Sequence, residues 1–543
     1  MTKTDQGRAE LALWLEDQPD DLYDDDAEFK TLIDHHGLAD RHDVFCQTGR
    51  LVGGPLDELV RTNNEPQNLP VLDAWDGIGR HTGRVAHHAD WHRIGSLIYG
   101  TGIMAAYQDT PVSHRYILSL FYLTAQLGEA GHNCALACNA GAIRSLQALG
   151  TTDQRQRYLN KLLDPNFNNN YTASQFLTEI QGGSDVGANA VTAESDGQEG
   201  WRIRGEKWFC SNVDADVFLL TARIASQGSS TGGLGLFIVP RRLADGTINR
   251  FRIRRLKSKL GTRTMASAEI DFEGAFAETL GPTQGGFSNV VRWILSTSRL
   301  YNAFGCSAHS RRAWVVASTY AKRRTAFGRR IGEFSPVAET LAFMRADAAS
   351  SLASSLWLAE LLEKEDAGTA TEEESHFLRL AICLNKVRTA MLAHDTVNRG
   401  IEILGGNGAI ESFSVLPRLL RDNVVYENWE GTHNVLLAQV LRDAVRLGAH
   451  EGFFRVLNGR IDSEDLESDR ETFLMILDLV SRGDDQMAAL KFRRLAPRLA
   501  TWIMLAAMAP VTQLSSIAQM TTRHLSALRI DKTYMDLVAD LQR

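Results

Sequence analysis

The hydrophobic period of this chain changes twice, and that double change limits the fold more than any other feature. Between residues 171 and 283 apolar and polar residues alternate, as in Ala268-Glu269-Ile270-Asp271-Phe272-Glu273 and Trp201-Arg202-Ile203-Arg204. This is the two-residue repeat of a strand with one buried face. Val217-Phe218-Leu219-Leu220 and Leu236-Phe237-Ile238-Val239 are continuous apolar runs of strand length. On either side the repeat lengthens to that of helices. From about 84 to 163 it includes Ile117-Leu118-Ser119-Leu120-Phe121-Tyr122-Leu123, and Gly150 supplies a stop. After Gly285-Gly286-Phe287 it persists to about 450, with Val337, Leu341, Met344 and Ala348 on one face. An α+β chain is expected, with a β domain between helical segments.

At 543 residues the chain exceeds the roughly 250–300 that one core supports. The pattern divides it into an acidic, irregular N-terminal extension (1–50), a helical domain (51–170), the β domain (171–283), a helical domain (284–450) and a further helical domain (451–543). Gly53-Gly54-Pro55 marks the first break, and Pro497 and Pro510 interrupt the last segment. Residues 363–375, EKEDAGTATEEES, read as an acidic loop between two helices.

A net charge of −8 gives the whole chain no attraction for phosphate backbones or anionic membranes, so any nucleic-acid site must be local. No apolar run reaches the ~18–20 residues of a membrane span. The N-terminus, with Asp17, Asp20, Asp21, Asp24, Asp25 and Asp26, is the opposite of an Arg-rich targeting peptide, and a cytoplasmic location is expected. Cys46, Cys134, Cys138, Cys210, Cys306 and Cys383 show no CxxC spacing, which points to free thiols rather than disulfides, zinc or any other metal site.

The chemistry gathers in 404–434, LGGNGAIESFSVLPRLLRDNVVYENWEGTHN, which closes on Trp429-Glu430-Gly431-Thr432. A carboxylate set between an aromatic ring and a flexible turn could be a catalytic base; taken alone, a capping or solvated Glu is the commoner reading. Gly405-Gly406-Asn407-Gly408 lacks the strand and acidic residue of a nicotinamide site, which excludes a Rossmann reading.

Four other stretches accompany it in order: Phe176-Leu177-Thr178-Glu179-Ile180-Gln181-Gly182-Gly183-Ser184-Asp185, Gly205-Glu206-Lys207-Trp208-Phe209-Cys210-Ser211-Asn212, Lys259-Leu260-Gly261-Thr262-Arg263 and Tyr320-Ala321-Lys322-Arg323-Arg324-Thr325-Ala326-Phe327-Gly328. Together the five resemble the motifs of the acyl-CoA dehydrogenase superfamily of flavoproteins. The resemblance implies an N-terminal helical domain, a middle β-barrel domain and a C-terminal helical bundle, here with an extra C-terminal helical domain. It implies FAD as cofactor, and Glu430 as the base that removes an α-proton from an acyl thioester. Leu177, Thr178, Gly183, Ser184, Phe209 and Ser211 match residues at the flavin ring and its neighbouring chain. Arg324, Phe327, Glu402, Gly405, Gly406, Thr432 and Asn434 match positions along the rest of FAD, in part across a homo-oligomer, expected to be a tetramer. Ser184, Arg299 and Gly431 match substrate positions for acyl-CoA or a related small substrate.

Several residues depart from the family pattern: Ile180 stands where Pro is usual, Glu402 and Ser335 where Gln is usual, and Ser296 where many members carry an acid near the coenzyme-A arm. With Trp75-Asp76-Gly77-Ile78-Gly79-Arg80, Asp90-Trp91-His92 and the long C-terminal segment, they resemble the AidB, or adaptive-response, branch. That branch implies weak dehydrogenase activity together with DNA binding, and relatives that hold acyl-CoA. Lys491, Arg493, Arg494 and Arg498, with Arg523, His524 and Arg529 further on, could form the DNA surface or a solvated helix face. The alternative to an enzyme is thus a flavoprotein that mainly binds DNA or sequesters acyl-CoA; flavin-dependent oxygenation on the same fold fits less well, because Glu430 is retained.

Overall fold

The computed structural model describes residues 2–197, 200–525 and 532–542. The chain forms two compact units, each drawn from separate stretches of sequence: one from residues 55–112 and 129–298, the other from 1–54, 113–128 and 299–543.

The first unit is built on β strands. A hairpin, β1 (Val71–Trp75) and β2 (His81–Ala86), precedes seven further strands: β3 (Ala173–Phe176), β4 (Thr192–Ser195), β5 (Trp201–Ser211), β6 (Val217–Ile224), β7 (Leu234–Pro240), β8 (Phe251–Leu256) and β9 (Ser267–Thr279). The sheet runs β3-β6-β4-β5-β9-β7, and an added β6–β7 pairing closes the path into a barrel. The alternating residues of β5 and β9 face each other in register, Lys207 opposite Ile270 and Ser211 opposite Ser267. Ile203, Phe218, Phe237, Phe251, Ile270 and Phe272 fill the interior. Helices Ala89–Gly100 and Ala130–Leu149 belong to the same unit. The β1–β2 hairpin interrupts a stretch read from sequence as helical. Its turn is held by Asp76, whose Oδ1 accepts from the N–H of Ile78 and of Arg80, a local bond that periodicity does not report.

The second unit is helical. Its long members are Ser296–Arg323, which begins three residues before the division between the units, then Ser335–Asp366 and Glu372–Leu404, followed by Leu416–Asn428, His433–Leu447, Ala449–Asn458, Glu464–Ser481 and Asp485–Met508. Residues of the C-terminal segment pack on Ser335–Asp366 and Glu372–Leu404, around an aromatic chain of Phe453, Phe454, Phe473 and Phe492.

Two expectations are corrected here. Residues 1–50 are not irregular: they form helices Lys3–Glu16, Ala27–His35 and His42–Leu51. Their acids act as caps and buried partners. Asp26 caps the second helix and accepts from Tyr122 Oη at 2.8 Å and Arg311 Nε at 3.2 Å; Glu28 pairs with Arg345 at 2.5 Å. The acidic loop 363–375 shrinks to 367–371. Glu363 lies inside a helix and holds Arg115 at 2.6 Å, while Thr371 and Glu374 form a capping box.

All six cysteines are free, five of them buried. Among the described residues no helix is long and apolar enough to cross a membrane, and no group of three His, Cys, Asp or Glu could hold a metal.

Candidate active site

In the helical unit, Glu430 sits just beyond the end of helix Leu416–Asn428, where Trp429 N–H still bonds Val425 O. Its backbone is left-handed, φ 58°, and is followed by Gly431 at φ 102°. A non-glycine residue held there costs energy that the surroundings must supply. Two buried cations do so. Arg299 Nε donates to Glu430 O at 3.2 Å, and Lys386 Nζ donates to Glu427 O at 3.0 Å and Gly431 O at 3.2 Å, clasping the turn from both ends. Burial pushes the Glu430 carboxyl above the usual carboxylate range, against the pull of Arg299 and Lys386. Burial likewise lowers the Lys386 ammonium to about 8. A carboxylate raised towards neutrality is a better base than an exposed one.

The resemblance places Arg299 at the substrate. Its guanidinium is buried and engaged on all sides, by Glu430 O, Gln439 Oε1 at 3.0 Å and Cys383 Sγ at 3.4 Å. It holds the main chain of Glu430. Gly431 has little room for a side chain, since an added Cβ would lie 2.8 Å from Leu436 Cδ2.

Lys386 was not legible in the sequence, because nothing nearby in the chain marks a mid-helix lysine as the clasp of a turn 41 residues on. Replacing it by Met should remove a positive charge that favours ionised Glu430. The acid limb of any proton abstraction by Glu430 then moves upward by about one pH unit. A pH profile of flavin reduction checks this, and an unmoved limb rejects the influence of the Lys386 charge on Glu430.

In the β unit, the chain leaves β3 through Leu177 and Thr178, and Thr178 O accepts from Trp208 N–H at 2.9 Å. Thr178 is thus tied beside the end of β5, where Phe209 is 50% exposed and Ser211 Oγ meets Ser267 Oγ at 2.9 Å. Below them Lys207, 0% exposed, pairs with Glu179 at 2.7 Å and donates to Leu177 O at 3.2 Å. Glu179 and Gly182 close a tight turn, and Gly183 then passes so near Thr178 that an added Cβ would lie 2.6 Å from its Oγ1. Ser184 beyond it is exposed. An open aromatic face, adjacent hydroxyls and a glycine passing over them fit the ring of a flavin. Lys257, absent from the sequence reading, holds its ammonium 3.5 Å from the centroid of Trp208 and 4.7 Å from that of Phe209, and pairs with Glu269 at 2.8 Å. It joins the site only through the β8–β9 pairing.

The remaining expected cofactor residues lie in the helical unit. Gly405 and Gly406, with open space where side chains would be, follow helix Glu372–Leu404, and Glu402 beside them is exposed. Phe327 is 97% exposed on a left-handed residue of the turn 325–330. Arg324 faces Glu10 of the N-terminal helix at 3.6 Å. Thr432 begins helix His433–Leu447 without a side-chain cap bond, and Asn434 is exposed. Among the described residues the only non-glycine positions at positive φ are Asn212, Thr262, Phe327 and Glu430. Each falls in a different one of the motifs, so backbone strain gathers at the candidate sites.

The basic residues Lys491, Arg493, Arg494 and Arg498 lie on helix Asp485–Met508. Arg498 is tied to Asp469 at 2.8 Å, and Arg493 lines a cavity; Lys491 and Arg494 are exposed with no ion pair among the described residues. Arg529 lies outside the described residues.

Comparisons with known proteins agree with this construction. Sequence models describe residues 16–169 as the adaptive response protein AidB N-terminal domain, 174–275 as the acyl-CoA dehydrogenase middle domain and 284–445 as the acyl-CoA dehydrogenase C-terminal domain. The chain belongs to the acyl-CoA dehydrogenase family, and its N-terminal match places it with the AidB-like members. The putative acyl-CoA dehydrogenase AidB of Escherichia coli is 30% identical over 433 residues, 78% of this chain and 77% of that protein. Acyl-CoA dehydrogenase family member 11 of Caenorhabditis elegans is 32% identical over 387 residues, 69% of this chain; the match spans 62% of the length of that relative. The crystal structure of Caenorhabditis elegans ACDH-11 in complex with C11-CoA superposes with a TM-score of 0.81 at 27% identity, covering 93% of this chain and 92% of that one.

Proposed function

We propose that this chain is an FAD-dependent oxidoreductase that converts an acyl-coenzyme A thioester to its α,β-unsaturated form, with Glu430 as the base. The observation that carries the reading is the fixed, partly desolvated carboxyl of Glu430, aimed by a left-handed backbone and clasped by Arg299 and Lys386. The Glu430 carboxylate takes the α-proton, and Arg299 keeps its main chain in place while it does so. FAD, when bound, supplies the acceptor for the β-hydride. Thr178, Phe209 and Ser211 hold its ring edge and face, Leu177, Gly183 and Ser184 lie along its neighbouring chain, and Thr432 and Asn434 hold a more distant part. The exposed ring of Phe327 and the open turn at Gly405 and Gly406, with Arg324 and Glu402, serve the cofactor of a second copy, so a homo-oligomer is part of the proposal. Acyl-CoA as ligand class is supported by the C11-CoA complex of the worm relative.

Anaerobic addition of acyl-CoAs of increasing chain length to the yellow protein tests the reading. Bleaching of the flavin by at least one of them is expected. Absence of bleaching with every saturated acyl-CoA, flavin being present, overturns it and leaves the ligand-sequestering alternative.

A further inference from the structure

The C-terminal helices have no part in the chemistry above, yet one of them closes a cavity beside the catalytic turn. The cavity, of about 270 Å³, has Glu427, Thr432, His433 and Asn434 on one side and Arg493 and Pro497 of helix Asp485–Met508 on another. Arg493 is exposed and makes no ion pair among the described residues, in contrast to Arg498 one turn on, which is held by Asp469. The carboxylate among the lining residues, Glu427, lies 3.0 Å from His394 and forms no ion pair with Arg493 among the described residues. Helix His433–Leu447 starts at the cavity, and because Thr432 makes no side-chain cap bond its first N–H groups remain open to a ligand. His433 adds a ring nitrogen, Nε2, that is buried without a partner. Burial, with Lys386 and Arg493 nearby, keeps that imidazole neutral, its pKa lowered to about 4. A guanidinium, open helix amides and an unpartnered imidazole around a small recess form a phosphate cradle.

We infer that Arg493, carried by the C-terminal segment, supplies the cation that holds the phosphates of the dinucleotide cofactor in this cavity. The inference rests on the FAD reading above, in which Thr432 and Asn434 of the same cavity hold the cofactor. It makes the C-terminal segment part of the cofactor site.

The test follows FAD release from the diluted holoprotein by the rise in flavin fluorescence, with affinity taken from the same dilution series. Arg493→Gln should weaken FAD binding about tenfold, the loss of one charge-assisted contact, and Arg493→Glu by more. Arg493→Lys should keep most of the affinity, which separates loss of charge from loss of fold. Arg482→Gln, on an exposed i,i+4 pair with Asp478, should match the wild type. Rising salt should weaken the wild type more than Arg493→Gln. If the wild type holds FAD and the Gln and Glu variants hold it equally well, the inference alone falls. If coenzyme A affinity falls in Arg493→Gln while FAD affinity stays, the phosphates are those of the substrate and the inference is wrong. If the wild type holds no FAD, the proposed function falls with it.

Discussion

Glu430→Gln should bind FAD and yet reduce it with acyl-CoA about 10²- to 10⁴-fold more slowly, the usual contribution of a positioned base. Gln keeps the length and one acceptor oxygen of the side chain but cannot take a proton. The contacts that hold the turn run through the main chain of Glu430 and Gly431, so they survive the substitution. In the wild type the rate should rise with pH as Glu430 ionises. Because burial raises its pKa, that rise falls above the ~4.3 of an ordinary Glu. Stopped-flow flavin bleaching across pH reads both effects. A Gln variant that bleaches at the wild-type rate removes Glu430 from the mechanism.

The second large effect is on stability. Lys207→Met should cost about 3–5 kcal/mol, because it leaves the Glu179 carboxylate buried without its counter-charge. Glu179 keeps donors in Ala190 N–H at 2.6 Å and Gln181 Nε2 at 2.8 Å, but these do not neutralise it. Pairing the change with Glu179→Leu should restore part of the loss, giving a double-mutant coupling above about 1.5 kcal/mol. Urea unfolding of the four proteins measures it, and single variants costing under about 1 kcal/mol would show the pair to be dispensable.

The parts legible in the sequence are those whose physics is local. Strand alternation marked β5 and β9 because each carries its own two-residue repeat, and Glu430 was visible because its neighbours Trp429 and Gly431 stand beside it in the chain. Lys386 and Lys257 were not, since each takes its place from residues far along the chain, the turn at Glu430 and the ring of Trp208; Arg493 was read only as part of a possible DNA surface. The N-terminal acids misled for the same reason. Asp26 and Glu28 look like solvated charge until Arg311 and Arg345 meet them.

That last meeting has a cost in time. Arg311 donates to Asp25 across 286 residues of chain, and ribosomes add about 5–20 residues per second. A newborn chain therefore carries its first three helices for roughly 15–60 s before their basic partners have been synthesised. The strands of the β unit, complete at Thr279, emerge within that wait. Asp25, Asp26 and Glu28 thus wait for Arg311 and Arg345 until the β unit between them has been made.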